Sequence, residues 1–161
     1  MADSKNLLPY RQGVGIMMLN KYNEIFVGQR IDSKTEAWQM PQGGIDEGET
    51  PRQAVFREVL EETGTDKIEL VAESENWFYY DLPPHLASIS WQGKYRGQKQ
   101  KWFLARFLGK DSDFNLNYND PAEFSVWRWI SINELPNLIV SFKKDLYNQV
   151  INQFKDIIFK N

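Results

Sequence analysis

Arg57, Glu58, Glu61 and Glu62 crowd into one short stretch, just behind the adjacent glycines Gly43 and Gly44. Like charges at helical-neighbour spacings cost about 0.2–0.5 kcal/mol per pair, so three carboxylates held together need a reason. The simplest is a hard divalent cation, which takes oxygen ligands and turns repulsion into coordination. The glycines let backbone approach such an ion closely, and the Gly43-Gly44 turn can add a carbonyl oxygen. An ion of this kind neutralises phosphate oxygens, positions a water in line and stabilises a leaving phosphate. The chemistry indicated is hydrolysis of a phosphoanhydride.

Those carboxylates need a helix to hold them. Thr50 suits an N-cap, Pro51 fits the first helical position, where a missing N–H costs nothing, and Gly64 is placed to end the helix in a left-handed cap. Stepping about 100° per residue puts Glu58, Glu61 and Glu62 within an arc of about 100°, with Val55, Phe56, Val59 and Leu60 on the other side. Arg57 falls at the edge, one turn before Glu61, where it can pair with that carboxylate and orient it.

The stretch from Gly43 to Thr65 resembles the Nudix box. Five residues separate Gly43 from Glu49, seven more precede Arg57-Glu58, and Val59, Glu61-Glu62 and Gly64 follow in step. Thr65 stands in the last aliphatic place, a departure that touches packing rather than metal binding. Further blocks resemble the bacterial branch of Nudix hydrolases that includes RNA pyrophosphohydrolases and dinucleoside polyphosphate (diadenosine tetraphosphate) hydrolases. They are Pro9–Gly15, Trp38–Gly44, Gly97–Phe103 and Val140–Asp145, which with the box span nearly the whole chain.

The resemblance implies a mixed β-sheet sandwiched between α-helices, Mg²⁺ or Mn²⁺ or another divalent cation as cofactor, and ligands from Gly43, Glu58, Glu61, Glu62 and Glu123. Read alone, Glu123 is an exposed residue at a loop end. In the branch the matching glutamate binds metal or acts as general base, and the resemblance carries that role to Glu123. Glu58, Glu61 and Glu62 stay open as the base. Arg57 joins these carboxylates in the catalytic set. Substrate-contact candidates are Arg11, Arg30, Gln42, Tyr80, Lys99, Lys101 and Phe142. Lys94, Arg96, Lys99 and Lys101 make a basic stripe for dense phosphate charge, although a solvated hairpin accounts for such a run equally well. Phe142 can stack on a base or simply begin the apolar stripe of the last helix. Tyr79 and Tyr80 alternate sides of a strand, so only one of them faces a cleft. His85, the single histidine, follows two prolines as a surface loop residue and offers no histidine catalysis.

The remaining composition narrows the class. The chain has 161 residues, enough for one domain, 1–161, with a real core. A net charge of −3 supplies no global basic field, so no DNA partner is expected. The chain lacks cysteine, which rules out thiol catalysis, disulfides and cysteine-based zinc sites and suits the cytoplasm. The opening residues lack the apolar core of a secretion signal, and no apolar run reaches the ~18 residues of a membrane span. The state of association is left open.

Along the chain, strands are expected over 13–20, 24–29, 38–40, 67–72, 77–82, 88–92, 100–108 and 125–130. The loop Asp32–Glu36 reads as longer than the branch requires. A short helix is expected within 131–138. Phe142, Leu146, Val150, Phe154 and Ile158 recur every four residues, one stripe of a final amphipathic helix. Strands interleaved with helices make the fold class α/β.

The leading expectation is an enzyme that removes pyrophosphate from 5′-triphosphorylated RNA ends, with dinucleoside polyphosphates as a related substrate class. A nucleotide-pool sanitiser would carry the same box. A non-catalytic nucleotide-binding module would more often have lost the Arg-Glu or Glu-Glu pair, and an isomerase on this fold would need a cysteine. The plainest alternative is a packed domain whose acidic helix is merely soluble.

Overall fold

The computed structural model describes residues 8–31 and 37–159, so the 32–36 loop lies outside the described residues. The spine is β1 (Tyr10–Leu19), whose burial explains its composition. Val14, Ile16 and Met18 face one apolar cluster, Met17 and Leu19 face another, and none is more than 1% exposed. A strand covered on both faces reads as a continuous apolar run rather than an alternating one.

The order is β2 (Ile25–Arg30), β3 (Trp38–Gln39), β4 (Gln42–Gly44), α1 (Pro51–Thr63), β5 (Ile68–Glu73), β6 (Phe78–Asp81), α2 (Pro84–Ala87), β7 (Gly97–Phe107), β8 (Phe124–Ile130), α3 (Leu135–Leu138) and α4 (Lys144–Ile158). The strands form one mixed sheet. β1 and β7 run parallel from Tyr10↔Gly97 to Leu19↔Arg106, and the other pairings are antiparallel. β1 changes partner along its length. Its far end meets β2 at Leu19↔Ile25, while Gly13, Val14 and Gly15 pair with Gly44, Gly43 and Gln42 of β4. That switch plants the Gly43-Gly44 pair beside the middle of the sheet.

Helix α1 covers one face through Ala54, Val55 and Val59. Helix α4 covers the other through Leu146, Tyr147, Val150, Phe154 and Ile158. The Tyr147 hydroxyl accepts the Met40 N–H at 2.9 Å, tying α4 to the strand before the glycines. Phe142 precedes this helix in a 3₁₀ turn, and the buried stripe begins at Leu146. Among the described residues, no helix is long and apolar enough to cross a membrane.

The strand expected over 88–92 is absent. Pro83 and Pro84 remove backbone donors and start α2, and a 3₁₀ turn follows over Ser90–Gly93. Trp91 (φ 50°), Gln92 (φ 60°) and Gly93 (φ 70°) are left-handed. For a non-glycine residue that conformation costs about 1–2 kcal/mol. The turn brings Trp91 against the cleft described below.

Candidate active site

Local signals build α1 as expected. Thr50 accepts the Gln53 N–H while the Gln53 side chain accepts the Thr50 N–H, a closed capping box. Gly64 (φ 84°) ends the helix, its N–H donating to the Leu60 carbonyl. Thr65 is buried, and its hydroxyl accepts the Lys67 N–H, which gives a polar residue a use in the aliphatic place of the box.

Arg57 binds the loop to the helix. Its Nε and Nη2 grip Glu49 at 2.8 and 2.9 Å, Nη2 also donates to the Gly44 carbonyl at 2.7 Å, and Nη1 meets Glu58 at 2.7 Å and Glu61 at 3.3 Å. The pairing with Glu61 is therefore the longest of these hydrogen bonds, and Asp46 lies just beyond at 3.4 Å. With its donors turned to the protein, Arg57 positions carboxylates and backbone. Its pKa rises, chiefly from the Glu49 hydrogen bonds, and Glu49 is held below the usual carboxylate range by the same contact. Spacing alone did not single out Glu49 as the anchor of this hub.

The Glu58 carboxyl packs directly on Gly43, where a Cβ would overlap it. Burial pushes Glu58 up to about 7 against the pull of Arg57, with Glu61 and Glu123 adding repulsion. Glu62 is 2% exposed, more deeply set than a helical face of three equivalent carboxylates implies. Burial, then repulsion from Glu58 and Glu123, hold its pKa well above the ordinary value. Its Oε2 accepts the Gln42 N–H at 3.3 Å. Glu123 joins this group from the residue before β8, paired with Arg30 at 3.7 Å. The fold thus sets Glu58 and Glu62 against β4 and brings Glu61 and Glu123 close enough to repel them. Hard oxygens carrying unbalanced charge fit a divalent cation in donor type. Among the described residues, no three acidic side chains already stand in a metal-holding arrangement.

Beside the carboxylates opens a cleft of about 910 Å³, walled by Arg30, Gln39, Gln42, Tyr80, Phe142 and Lys143 together with Trp91 and the α2 segment. The Tyr80 and Phe142 rings lie 6.0 Å apart at 41°. Burial pushes the Tyr80 hydroxyl up to about 12. Arg11 sits at the rim, its guanidinium 5.2 Å from the Trp91 ring centre and against Gly44. His85 is exposed on α2 at the edge of the cleft.

Lys143 is the residue the sequence reading missed. It is 7% exposed, and burial followed by repulsion from Arg30 lowers its pKa to about 8, with Glu62 pulling the other way. Nothing in the stripe periodicity separates it from solvated Lys144. Beneath the cleft, Trp102 Nε1 donates to Gln100, whose amide donates to Gln98 at 2.6 Å and to Gln42 at 3.3 Å.

Lys99 and Lys101 do not line the cleft. They alternate along β7 with Gln98 and Gln100, so they point to the opposite face. Lys99 lies over Trp77, and Lys101 donates to the Ser74 and Glu75 carbonyls. Arg96 pairs with Asp81 at 2.7 Å. The basic stripe is structural in these contacts, not a wall of the cleft.

The buried carboxylates set a pH dependence. Glu58 has a folded pKa raised from 4.5 to about 7, so its protonated form favours the fold. That contribution is full below about 4.5 and lost as pH rises through about 7, up to about 3 kcal/mol. Without added cations, the thermal midpoint is expected to fall across this window, opposite to ordinary acid denaturation. Lys143 acts only above about 8. A midpoint rising steadily from pH 4.5 to 7 in chelator would contradict this account.

Comparison with known proteins agrees with the architecture. The chain is 55% identical over 158 residues to an RNA pyrophosphohydrolase of Rickettsia canadensis, covering 98% of each. It is 52% identical over 149 residues to an RNA pyrophosphohydrolase of Wolbachia pipientis, covering 92% of this chain and 91% of the relative. The solved E. coli dihydroneopterin triphosphate pyrophosphohydrolase shares the fold, with a TM-score of 0.69 at 22% identity over 89% of this chain and 99% of that one. The NUDIX domain description matches residues 9–150. Matched over most of its length and more than half identical to such relatives, the chain belongs to the NUDIX domain family.

Proposed function

We propose that this protein hydrolyses phosphoanhydride bonds with Mg²⁺ or Mn²⁺, removing pyrophosphate from the 5′-triphosphate end of RNA, and that dinucleoside polyphosphates are a second substrate class. The observation that carries the reading is the junction of two features. A carboxylate cluster around Gly43 adjoins a cleft that offers aromatic faces and buried or half-buried cations. The names of relatives at 52–55% identity support the RNA end as substrate.

Glu58, Glu61, Glu62 and Glu123 would hold the cation, with the Gly43 carbonyl as a further oxygen. When bound, it supplies charge neutralisation at the phosphates and a more acidic water. Arg57 keeps Glu58 and Glu61 aimed across the Gly44 turn. Lys143 and Arg30 offer positive charge to phosphate oxygens, and Phe142 with Tyr80 offers a face to a base. Glu58 or Glu123 takes the proton of the attacking water. The cytoplasm, where triphosphorylated RNA is made in bacteria, is the proposed place of action.

The test is direct. With Mg²⁺, purified protein is expected to release pyrophosphate or phosphate from triphosphorylated RNA, and kcat/KM measured beside diadenosine tetraphosphate ranks the two classes. No release from either substrate, with Glu61→Gln indistinguishable from wild type, defeats the reading.

A further inference from the structure

We propose that Gln39 is a specificity-determining residue whose side-chain amide hydrogen-bonds an acceptor on the nucleobase of the substrate held in the cleft. The inference rests on the proposed function only in taking a nucleotide as the occupant. Gln39 is 5% exposed and lines the cleft. Its Nε2 has no hydrogen-bond partner, and it is the buried side-chain polar atom so placed among the described residues. Its neighbours make the contrast. Gln42, Gln98 and Gln100 share one chain of amide hydrogen bonds that ends on the Trp102 indole. Buried polar groups are almost always satisfied, so an unpaired buried donor on a residue of the cleft wall marks a place where a ligand supplies the acceptor.

Its surroundings indicate which part of the ligand that is. The acidic cluster lies around Gly43 and α1, and phosphates belong beside it. Gln39 shares the cleft wall with the aromatic rings of Tyr80 and Phe142, which suit a base, and with Arg30 and Lys143, which suit the phosphates that run from that base to the acidic cluster. Backbone pairing of Gly28 with Gln39 fixes the strand under it, so the amide is presented from a sheet position. A site built to hydrogen-bond a substrate group rejects analogues that lack it, because its own donor is then stranded.

Gln39→Met keeps side-chain length and removes the amide. Calorimetry with Mg²⁺ would compare wild type and variant on the β,γ-methylene analogues of ATP and GTP, with methylenediphosphonate as a base-free probe. The variant is expected to lose tenfold or more in affinity for at least one nucleotide analogue and to stay within twofold on methylenediphosphonate. Its thermal midpoint without ligand is expected to equal or exceed that of wild type, since an open buried donor is removed. Equal nucleotide affinities, a loss shared by methylenediphosphonate, a lowered midpoint, or a wild type that binds neither analogue would each overturn the assignment. RNA hydrolysis enters none of these readings. Protein that binds the analogues through Gln39 yet leaves triphosphorylated RNA intact defeats the proposed substrate alone.

Discussion

Replacing Arg57 with alanine is expected to lower the thermal midpoint by several degrees and to cut turnover about 100-fold, the upper range for residues that orient metal-binding groups. One side chain holds Glu49, Glu58, Glu61 and the Gly44 carbonyl together. Its loss leaves Glu49 and Glu58, 14% and 12% exposed, without their cation. Breaking one partner of a buried pair costs about 3–5 kcal/mol, and because Arg57 keeps about a quarter of its surface in water the cost here is about 2–3 kcal/mol. At roughly 2–4 °C per kcal/mol for a chain of this size, the shift is readily measured. Arg57→Lys is expected to recover little activity, since one ammonium cannot reproduce a planar fork with donors to four groups. Calorimetric melting and steady-state kinetics on the two variants check both parts. Wild-type kcat in Arg57→Lys would show that charge alone matters and that the fork geometry does not.

The parts of this site that were legible in the sequence are those with local causes. Thr50, Pro51 and Gly64 delimit α1 because caps are set by a few neighbouring residues, and the structure closes the box where those residues stand. The apolar run at 13–20 announced a strand, and the structure adds that it is buried on both faces. What was not legible depends on which face of an element is covered. Glu62 shares an arc with Glu58 and Glu61, yet β4 covers Glu62 fully and Glu58 in large part, and Glu61 stays the most open of the three. Lys99 and Lys101 carry the parity of Phe103, which packs toward α1. Parity states that they share a face, and only the packed sheet tells that the cleft lies on the other one. Lys143 is buried because the 3₁₀ turn before α4 folds it inward, a tertiary event without a periodic signature. The strand expected over 88–92 is replaced by a turn, because Pro83 and Pro84 start α2 and the chain continues from it into 3₁₀ conformation.

Glu62→Gln is expected to move activity and stability in opposite directions. Removing an oxygen donor of full charge from the proposed cation site costs several kcal/mol of transition-state stabilisation, which is about a 10³-fold fall in kcat. The same change relieves the free protein. At neutral pH the native state holds Glu62 against burial and against Glu58 and Glu123, whereas a neutral amide carries no such penalty. The amide oxygen can still accept the Gln42 N–H that Glu62 accepts. Lys143 loses one attractive neighbour, which trims the gain without reversing it. The sign follows from linkage. A carboxyl with a raised folded pKa favours the fold when protonated, below its unfolded value, and disfavours it above. In chelator, the variant is therefore expected to melt a few degrees above wild type at pH 7.5 and together with it near pH 4. Added Mg²⁺ is expected to narrow or invert the difference at pH 7.5, because an ion that binds only the folded wild type stabilises it by mass action. A variant less stable than wild type at pH 7.5 in chelator would show that the Glu62 charge is compensated in the free protein, and the surplus of negative charge on which the cation site rests would be gone.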